Sequence, residues 1–129
     1  MTVNADLTTI LEAHAGLSAL VGDRIHSNKL PQGETMPCIT YRRISSTRIS
    51  AMVADTGTVR AIYQYDVWAT GYDSMRAVTE QLRQALQRYQ GTDTVEIEHI
   101  FVNPEIEFYE DETELHHCAI DFEVIYKEG

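Results

Sequence analysis

Two stretches of regular alternation constrain the fold of this chain more than any other feature of its sequence. In the stretch 58–69, one face carries Ala61, Tyr63, Tyr65 and Val67. In the stretch 116–127, one face carries His116, Cys118, Ile120, Phe122, Val124 and Tyr126. A period of two places alternate side chains on opposite sides of a β-strand. We therefore predict an antiparallel sheet with one buried face.

Two helices are predicted to cover that face. The first has side chains at spacings of three and four, namely Leu7, Ile10, Leu11, His14, Leu17 and Val21. Asn4 or Thr2 can cap its start. We expect Gly16 to break or bend this helix and Gly22 to end it.

The second helix is predicted to run from a capping box to about Tyr89. Thr70 would be the cap, and Asp73 stands three residues later. Its buried stripe is predicted to be Met75, Val78, Leu82, Ala85, Leu86 and Tyr89.

The remaining segments are read as strands and loops. Extended pieces are predicted over 24–27, 38–44 and 95–101, with a loop rich in proline and glycine over 29–37. Pro104 is expected to interrupt the extended structure, and a short strand is predicted to follow at 106–109. The polar segment 45–57 is predicted to be a long, mobile hairpin tip with ragged pairing near 49–53. The result is a single α+β domain over 1–129, with a mostly antiparallel sheet and two helices on one face.

The negative charge is concentrated in the last third of the chain. The formal net charge is −10. Residues 93–129 hold twelve acids and one base, whereas residues 1–60 hold five acids and six bases. A surface with this charge repels nucleic acid and orients basic partners.

Several classes of protein are not expected. Two cysteines are too few for a disulfide scaffold and are predicted to be reduced thiols. The N-terminus lacks a secretory signal, and no stretch approaches the roughly 20 apolar residues that span a membrane. Ser45, Ser46 and Ser50 lack the Gly-x-Ser-x-Gly context of a serine nucleophile. We therefore expect a soluble protein without catalytic residues or a cofactor.

Two groups of side chains could bind a cation. His116 and Cys118 share a strand face, and His99 lies on another strand, but the zinc spacings Cys-x-x-Cys and His-Glu-x-x-His are absent. The acids of 105–114 lack the pattern of a calcium-binding loop. We interpret the histidines as ordinary strand residues and the acids as a solvated face, with no metal site.

Several segments, read in order, resemble a known family. They are Ala19–Ile25, Leu30-Pro31-Gln32-Gly33, Met36–Tyr41, Tyr65–Ala69 and Leu82–Leu86. With this order and spacing, the chain resembles the tail-completion, or tail-terminator, proteins of long-tailed bacteriophages, which include tail-to-head joining proteins. The resemblance covers about Asp6 to Tyr126.

The resemblance implies a structural role without enzymatic activity. Such proteins form rings, usually of six subunits, that cap the tail tube and join the tail to the head connector. The expected partners are therefore other copies of the chain, the tail-tube protein and the head connector or stopper protein. DNA would pass through without specific binding, and no membrane is involved. The implied location is the head–tail junction of the virion, after assembly in the bacterial cytoplasm.

The sequence offers residues for two surfaces of such a ring. The candidate lining of the DNA passage is Glu105, Glu107, Glu110, Asp111, Glu112 and Glu114. The candidate contacts with a neighbouring subunit or the tube are Arg42, Arg43, Arg48 and Trp68. Two simpler interpretations stay open at this point. The arginines could protect a solvated strand edge, and Trp68 could pack at the corner between sheet and helix.

Two other functions remain as alternatives. An acidic protein could mimic nucleic acid and block a DNA-binding protein, in which case it would act as a monomer or dimer. A small hydrolase would need a nucleophile and a base, and the sequence offers no such pair.

Overall fold

The computed structural model describes residues 3–50, 55–92 and 95–127. The helices are α1 (Val3–Ala13), α2 (Ala15–Val21) and α3 (Tyr72–Leu86). The strands are β1 (Ile25–Ser27), β2 (Cys38–Ser50), β3 (Asp55–Ala69), β4 (Gly91–Thr92), β5 (Glu96–Glu110) and β6 (Leu115–Lys127).

All six strands belong to one sheet, in the order β1-β2-β3-β6-β5-β4. β1 runs parallel to β2, and every other neighbouring pair is antiparallel. In the centre of the sheet, Tyr63 of β3 lies between Arg43 of β2 and Phe122 of β6. The predicted α+β class with a mostly antiparallel sheet is confirmed.

The core lies between the three helices and one face of the sheet, which we call the helix-covered face. β3 and β6 supply its largest fully buried side chains, including Tyr63, Tyr65, Phe122 and Ile120. Leu7 and Leu11 of α1 and Leu82 of α3 pack in the same cluster. The two alternating stretches therefore form the strands and the buried face that the sequence predicts.

The first predicted helix is two helices, so three helices cover the sheet instead of two. The break is at His14, whose backbone is extended (φ −81°, ψ 105°), and not at Gly16. The His14 ring bonds to Gln81 of α3, with 3.0 Å between Nε2 and Oε1. A Cβ on Gly16 would meet the same Gln81 side chain. Gly16 therefore gives α2 room beside α3, and Gly22 ends α2 as predicted.

The predicted capping box of α3 is wrong. Its N-cap is Gly71, and no side chain caps the helix there. The helix also ends at Leu86, earlier than predicted, because Gln87 is extended and the Arg88 N–H donates to the Ile100 carbonyl of β5. The buried stripe of Met75, Val78, Leu82 and Leu86 is confirmed.

Two strands are longer than predicted. Pairing between β2 and β3 extends to Ser50 opposite Asp55, so much of the predicted loop 45–57 is strand, with register shifts at 43/45 and 49/50. The predicted pairing at 51–53 lies outside the described residues. β5 continues through Pro104, which sits in an irregularity between Val102 and Glu105. Proline is tolerated there because its missing N–H would point away from the sheet at an edge strand.

Two core tyrosines should respond differently to loss of the hydroxyl. The Tyr63 hydroxyl donates to the Asn4 side chain, whereas the buried Tyr65 hydroxyl has no hydrogen-bond partner among the described residues. We expect Tyr65→Phe to stabilise the fold by about 1 kcal/mol, because it removes an unsatisfied buried group, and Tyr63→Phe to destabilise it by about as much. Urea unfolding of both variants checks this, and equal effects would contradict it.

Candidate assembly surfaces

Long parts of two strands have no neighbouring strand on their outer side. β1 pairs with residues 39–41 of β2, and the Asn28 N–H then donates to the Tyr41 carbonyl. At the other side of the sheet, β4 pairs with residues 96–97 of β5, and Arg88 bonds to Ile100. In the described part of the chain, no strand covers 42–50 of β2 or 101–110 of β5. We call these segments the β2 outer edge and the β5 outer edge.

The two outer edges are of opposite charge. The β2 outer edge holds three arginines and no acid, and the β5 outer edge holds three glutamates and no base. They lie on opposite sides of the sheet because β3 and β6 separate them. The sequence showed both charge groups but not that each lies along an uncovered part of a strand edge.

Exposed apolar side chains also concentrate on these edges. Among the residues whose side chains are described, five of the six large exposed apolar ones are on these edges: Ile44, Phe101, Ile106, Phe108 and Tyr109. The sixth, Tyr72, begins α3 beside β5. Long, apolar, uncovered strand edges are templates for pairing with another chain.

The three arginines do not form one cluster, because neighbouring strand residues point to opposite faces. Arg42 lies on the face away from the helices, which we call the open face, and donates to Gln64 Oε1 (2.9 Å). Arg43 lies on the helix-covered face, where it donates to the Tyr126 hydroxyl and sits 5.7 Å from the Tyr63 ring centroid. Arg48 is exposed near the end of β2, opposite Val59. Arg43 therefore packs on aromatic side chains of its own subunit.

The acidic run divides into two parts. Glu105 and Glu107 lie beside α3, where Arg76 Nη1 donates to Glu105 Oε1 (2.8 Å) and Glu107 Oε2 (3.0 Å). The hydrogen bond to Glu105 raises the pKa of Arg76. The Tyr72 hydroxyl also donates to Glu107 Oε1 (3.1 Å). Two carboxylates of β5 thus share one guanidinium, which also lies 3.8 Å from Glu80 Oε2.

The other four acids lie at the hairpin between β5 and β6. Glu110 ends β5 and accepts a hydrogen bond from Thr113 Oγ1 (3.2 Å). Asp111, Glu112 and Glu114 are exposed in the turn. This hairpin lies at the end of the sheet where α3 begins, and the hairpin between β2 and β3 lies at the opposite end.

Trp68 lies on the open face, not at the corner between sheet and helix. Its ring stacks on His117 at 4.0 Å between centroids, and its Nε1–H donates to Thr40 Oγ1 (3.1 Å). His117 also bonds to Asp66, with 2.8 Å between Nε2 and Oδ1. Farther along the same face, burial and then the nearby Asp66 raise the pKa of Asp121. Trp68 is half-buried and is held by these contacts within its own subunit.

A concavity that the sequence did not reveal lies beside the β5 outer edge. It has a volume of about 220 Å³ and is lined by Tyr72, Met75, Glu107, Phe108, Tyr109 and His116. The His116 ring lies 5.9 Å from the Tyr72 ring and 4.9 Å from the Tyr109 ring. We call it the aromatic pocket. Strand alternation could place Glu107, Tyr109 and His116 on one face, but the position of Tyr72 depends on how α3 packs.

The described residues contain no group of three or more side chains suited to hold a metal ion. Cys118 is fully buried, and burial raises its pKa. No helix in the described ranges is long and apolar enough to cross a membrane.

The fold is thus that of a small α+β subunit whose most distinctive surfaces are the β2 and β5 outer edges, which have opposite charge. The chain belongs to the tail completion protein gp17 family, whose model matches residues 5–127. It is accordingly a structural tail completion protein and not an enzyme. The resemblance inferred from the sequence is confirmed.

A solved structure has a similar fold. A chain in the virion of a native gene transfer agent particle superposes with a TM-score of 0.78 at 15% identity. The match covers 95% of this chain and 92% of that chain. No curated protein is significantly similar to the sequence.

Proposed function

We propose that this chain forms a closed ring of identical copies, most simply the hexamer that the family resemblance implies. The ring caps the tail tube at its head-proximal end, joins the tail to the head connector and leaves a channel for DNA. The observation that carries this proposal is the pair of outer edges. No described strand covers either edge, both edges carry exposed apolar side chains, and their charged residues have opposite sign.

The directions of the strands suit pairing between copies. Three antiparallel pairings separate β2 from β5, so the two strands run in opposite directions. When the β5 outer edge of one copy lies beside the β2 outer edge of the next, the antiparallel order continues and main-chain groups on both edges gain partners. A contact between two different surfaces closes into a ring when its rotation allows.

Charge supports the same pairing. Glu105, Glu107 and Glu110 of one copy would face Arg42, Arg43 and Arg48 of the next. Opposite charges favour this arrangement, and two copies of the same edge would repel each other. The contact is therefore directional, as a ring requires.

The acidic run 105–114 supplies the negative lining of the passage. The four hairpin acids lie together at one end of the sheet, so in the ring they surround one mouth. Glu105 and Glu107 contribute less to the field because they share Arg76. Few basic contacts with phosphate let DNA slide, since each such contact adds affinity. The β2–β3 end would reach the tube or a neighbouring ring.

Reversing the hairpin charges should slow DNA ejection. We expect Asp111, Glu112 and Glu114 changed to lysine to reduce its rate by about tenfold at low salt, with a smaller effect at high salt. The measurement is ejection from purified particles. The matched control changes Glu12, Glu96 and Glu98 to lysine, which makes the same change in charge away from the hairpin. Normal ejection from the hairpin variant would refute the lining.

The ring itself is tested by mass and by deletion. Light scattering, with and without purified tail-tube protein, should give a multiple of the 14.6 kDa subunit. Deletion of the gene should give tails of abnormal length that do not attach to heads. Normal attached tails after deletion would end the proposal. A monomer that binds a basic protein in a salt-sensitive way would favour the acidic mimic instead.

A further inference from the structure

The aromatic pocket and the β5 outer edge share residues. Glu107, Phe108 and Tyr109 belong to both. Phe108 is 48% exposed and Tyr109 is 53% exposed. A copy that pairs with residues 107–109 of β5 must therefore come close to the pocket.

The pocket has the chemistry of a site for a cationic side chain. Glu107 forms part of its wall, and Tyr72, Tyr109 and the His116 ring surround it. Arg76 pairs with both Glu105 and Glu107. Its single positive charge balances one of the two carboxylates, so one negative charge is left uncompensated. A cation gains from the carboxylate and from the faces of the tyrosine rings.

On the opposite side of the sheet, the basic residue Lys29 lies near the start of the β2 outer edge. β1 ends at Ser27, and the Asn28 N–H donates to the Tyr41 carbonyl (2.7 Å). Asn28 is left-handed (φ 65°), so the chain turns away there, and the next residue is the exposed Lys29. Any strand that pairs with residues 42–50 contacts this turn where it lies beside residue 42.

The lengths and directions of the edges bring these two features together. The β2 outer edge has nine residues and the β5 outer edge has ten, and their pairing is antiparallel. The last residues of β5 in one copy thus reach the start of the β2 outer edge in the next copy. Glu107 to Glu110 then lie against the turn that carries Lys29.

We propose that Lys29 of each copy enters the aromatic pocket of the preceding copy, with its ammonium group beside the Glu107 carboxylate and between the tyrosine rings. The inference rests on the proposed ring and adds a contact that locks the register of the two edges. The occupant is a second copy of this chain, because the charges match and the pocket continues the paired edge.

A cross-linking experiment tests the proximity. Rings of a variant carrying Lys29→Cys and Tyr109→Cys are treated with a short bismaleimide and separated under denaturing conditions. The native thiols should not react, because Cys38 and Cys118 are fully buried and burial raises the pKa of Cys38 to about 11. We expect a ladder of covalent oligomers. The control pair Lys29→Cys and Ala13→Cys should give none.

A charge exchange tests the pairing itself. Lys29→Glu should weaken association of copies by about tenfold, because it places a carboxylate beside Glu107. Adding Glu107→Lys in the same chain should restore most of the affinity. Lys127→Glu is the matched control, since it makes the same change beside the covered part of β5 and should have no effect.

The outcomes separate the two proposals. Rings that form normally but give no 29–109 cross-link would refute the pocket contact and leave the ring standing. Failure of the unmodified chain to form rings, alone or on tail tubes, would refute the proposed function itself.

Discussion

Replacing Arg42 and Arg48 by glutamate is expected to convert the ring into monomers. The two changes turn the β2 outer edge from three positive charges to a net charge of −1, so it would face the glutamates of β5 with like charge. Like charges across an interface cost several kcal/mol, which corresponds to a loss of at least about 100-fold in affinity. Light scattering or sedimentation measures the mass.

Circular dichroism of the double variant distinguishes a loss of assembly from a loss of folding. Arg43 is left in place because it bonds to Tyr126 and packs on Tyr63 within its own subunit. Arg60→Glu is the control, since Arg60 lies on the interior strand β3 and pairs weakly with Glu123 (3.9 Å). Unchanged ring mass in the double variant, with normal circular dichroism, would remove the outer edges from the interface.

Phe122→Ala should have the largest effect on stability. Phe122 is fully buried in the middle of β6, with its ring edge-on to Tyr65 at 5.6 Å. Truncating a buried phenylalanine typically costs about 3–5 kcal/mol, because apolar contacts are lost and a cavity remains. That is a large part of the roughly 5–15 kcal/mol that stabilises an ordinary domain.

The comparison is made in the monomeric background. Ring formation would make stability depend on concentration. Phe122→Ala and its control Phe101→Ala are therefore both made in a chain that also carries Arg42→Glu and Arg48→Glu. Phe101→Ala makes the same change at a side chain 46% exposed on β5 and should cost less than about 1 kcal/mol. Urea unfolding gives both values. Similar losses in the two variants would mean that the helix-covered face is not the main core.

Much of the fold could be predicted from local patterns. Apolar side chains alternate along β3 and β6 because one face packs under helices while the other stays half-buried. This alternation can be seen in consecutive residues of the sequence. The stripe of α3 was predicted for the same reason. The break at His14 was not, because it depends on Gln81, which is far away in sequence. Pro104 was misread because only the sheet order makes β5 an edge strand.

The sequence by itself determined the family, the class of fold and the two groups of opposite charge. Only the tertiary structure decided that these groups lie on the uncovered edges of β2 and β5, on opposite sides of the sheet, and that Arg76 neutralises part of the acidic run. The physical reason is that alternation fixes which side of a strand a residue faces. Strand order depends on contacts among segments far apart in the chain, and no local pattern records them.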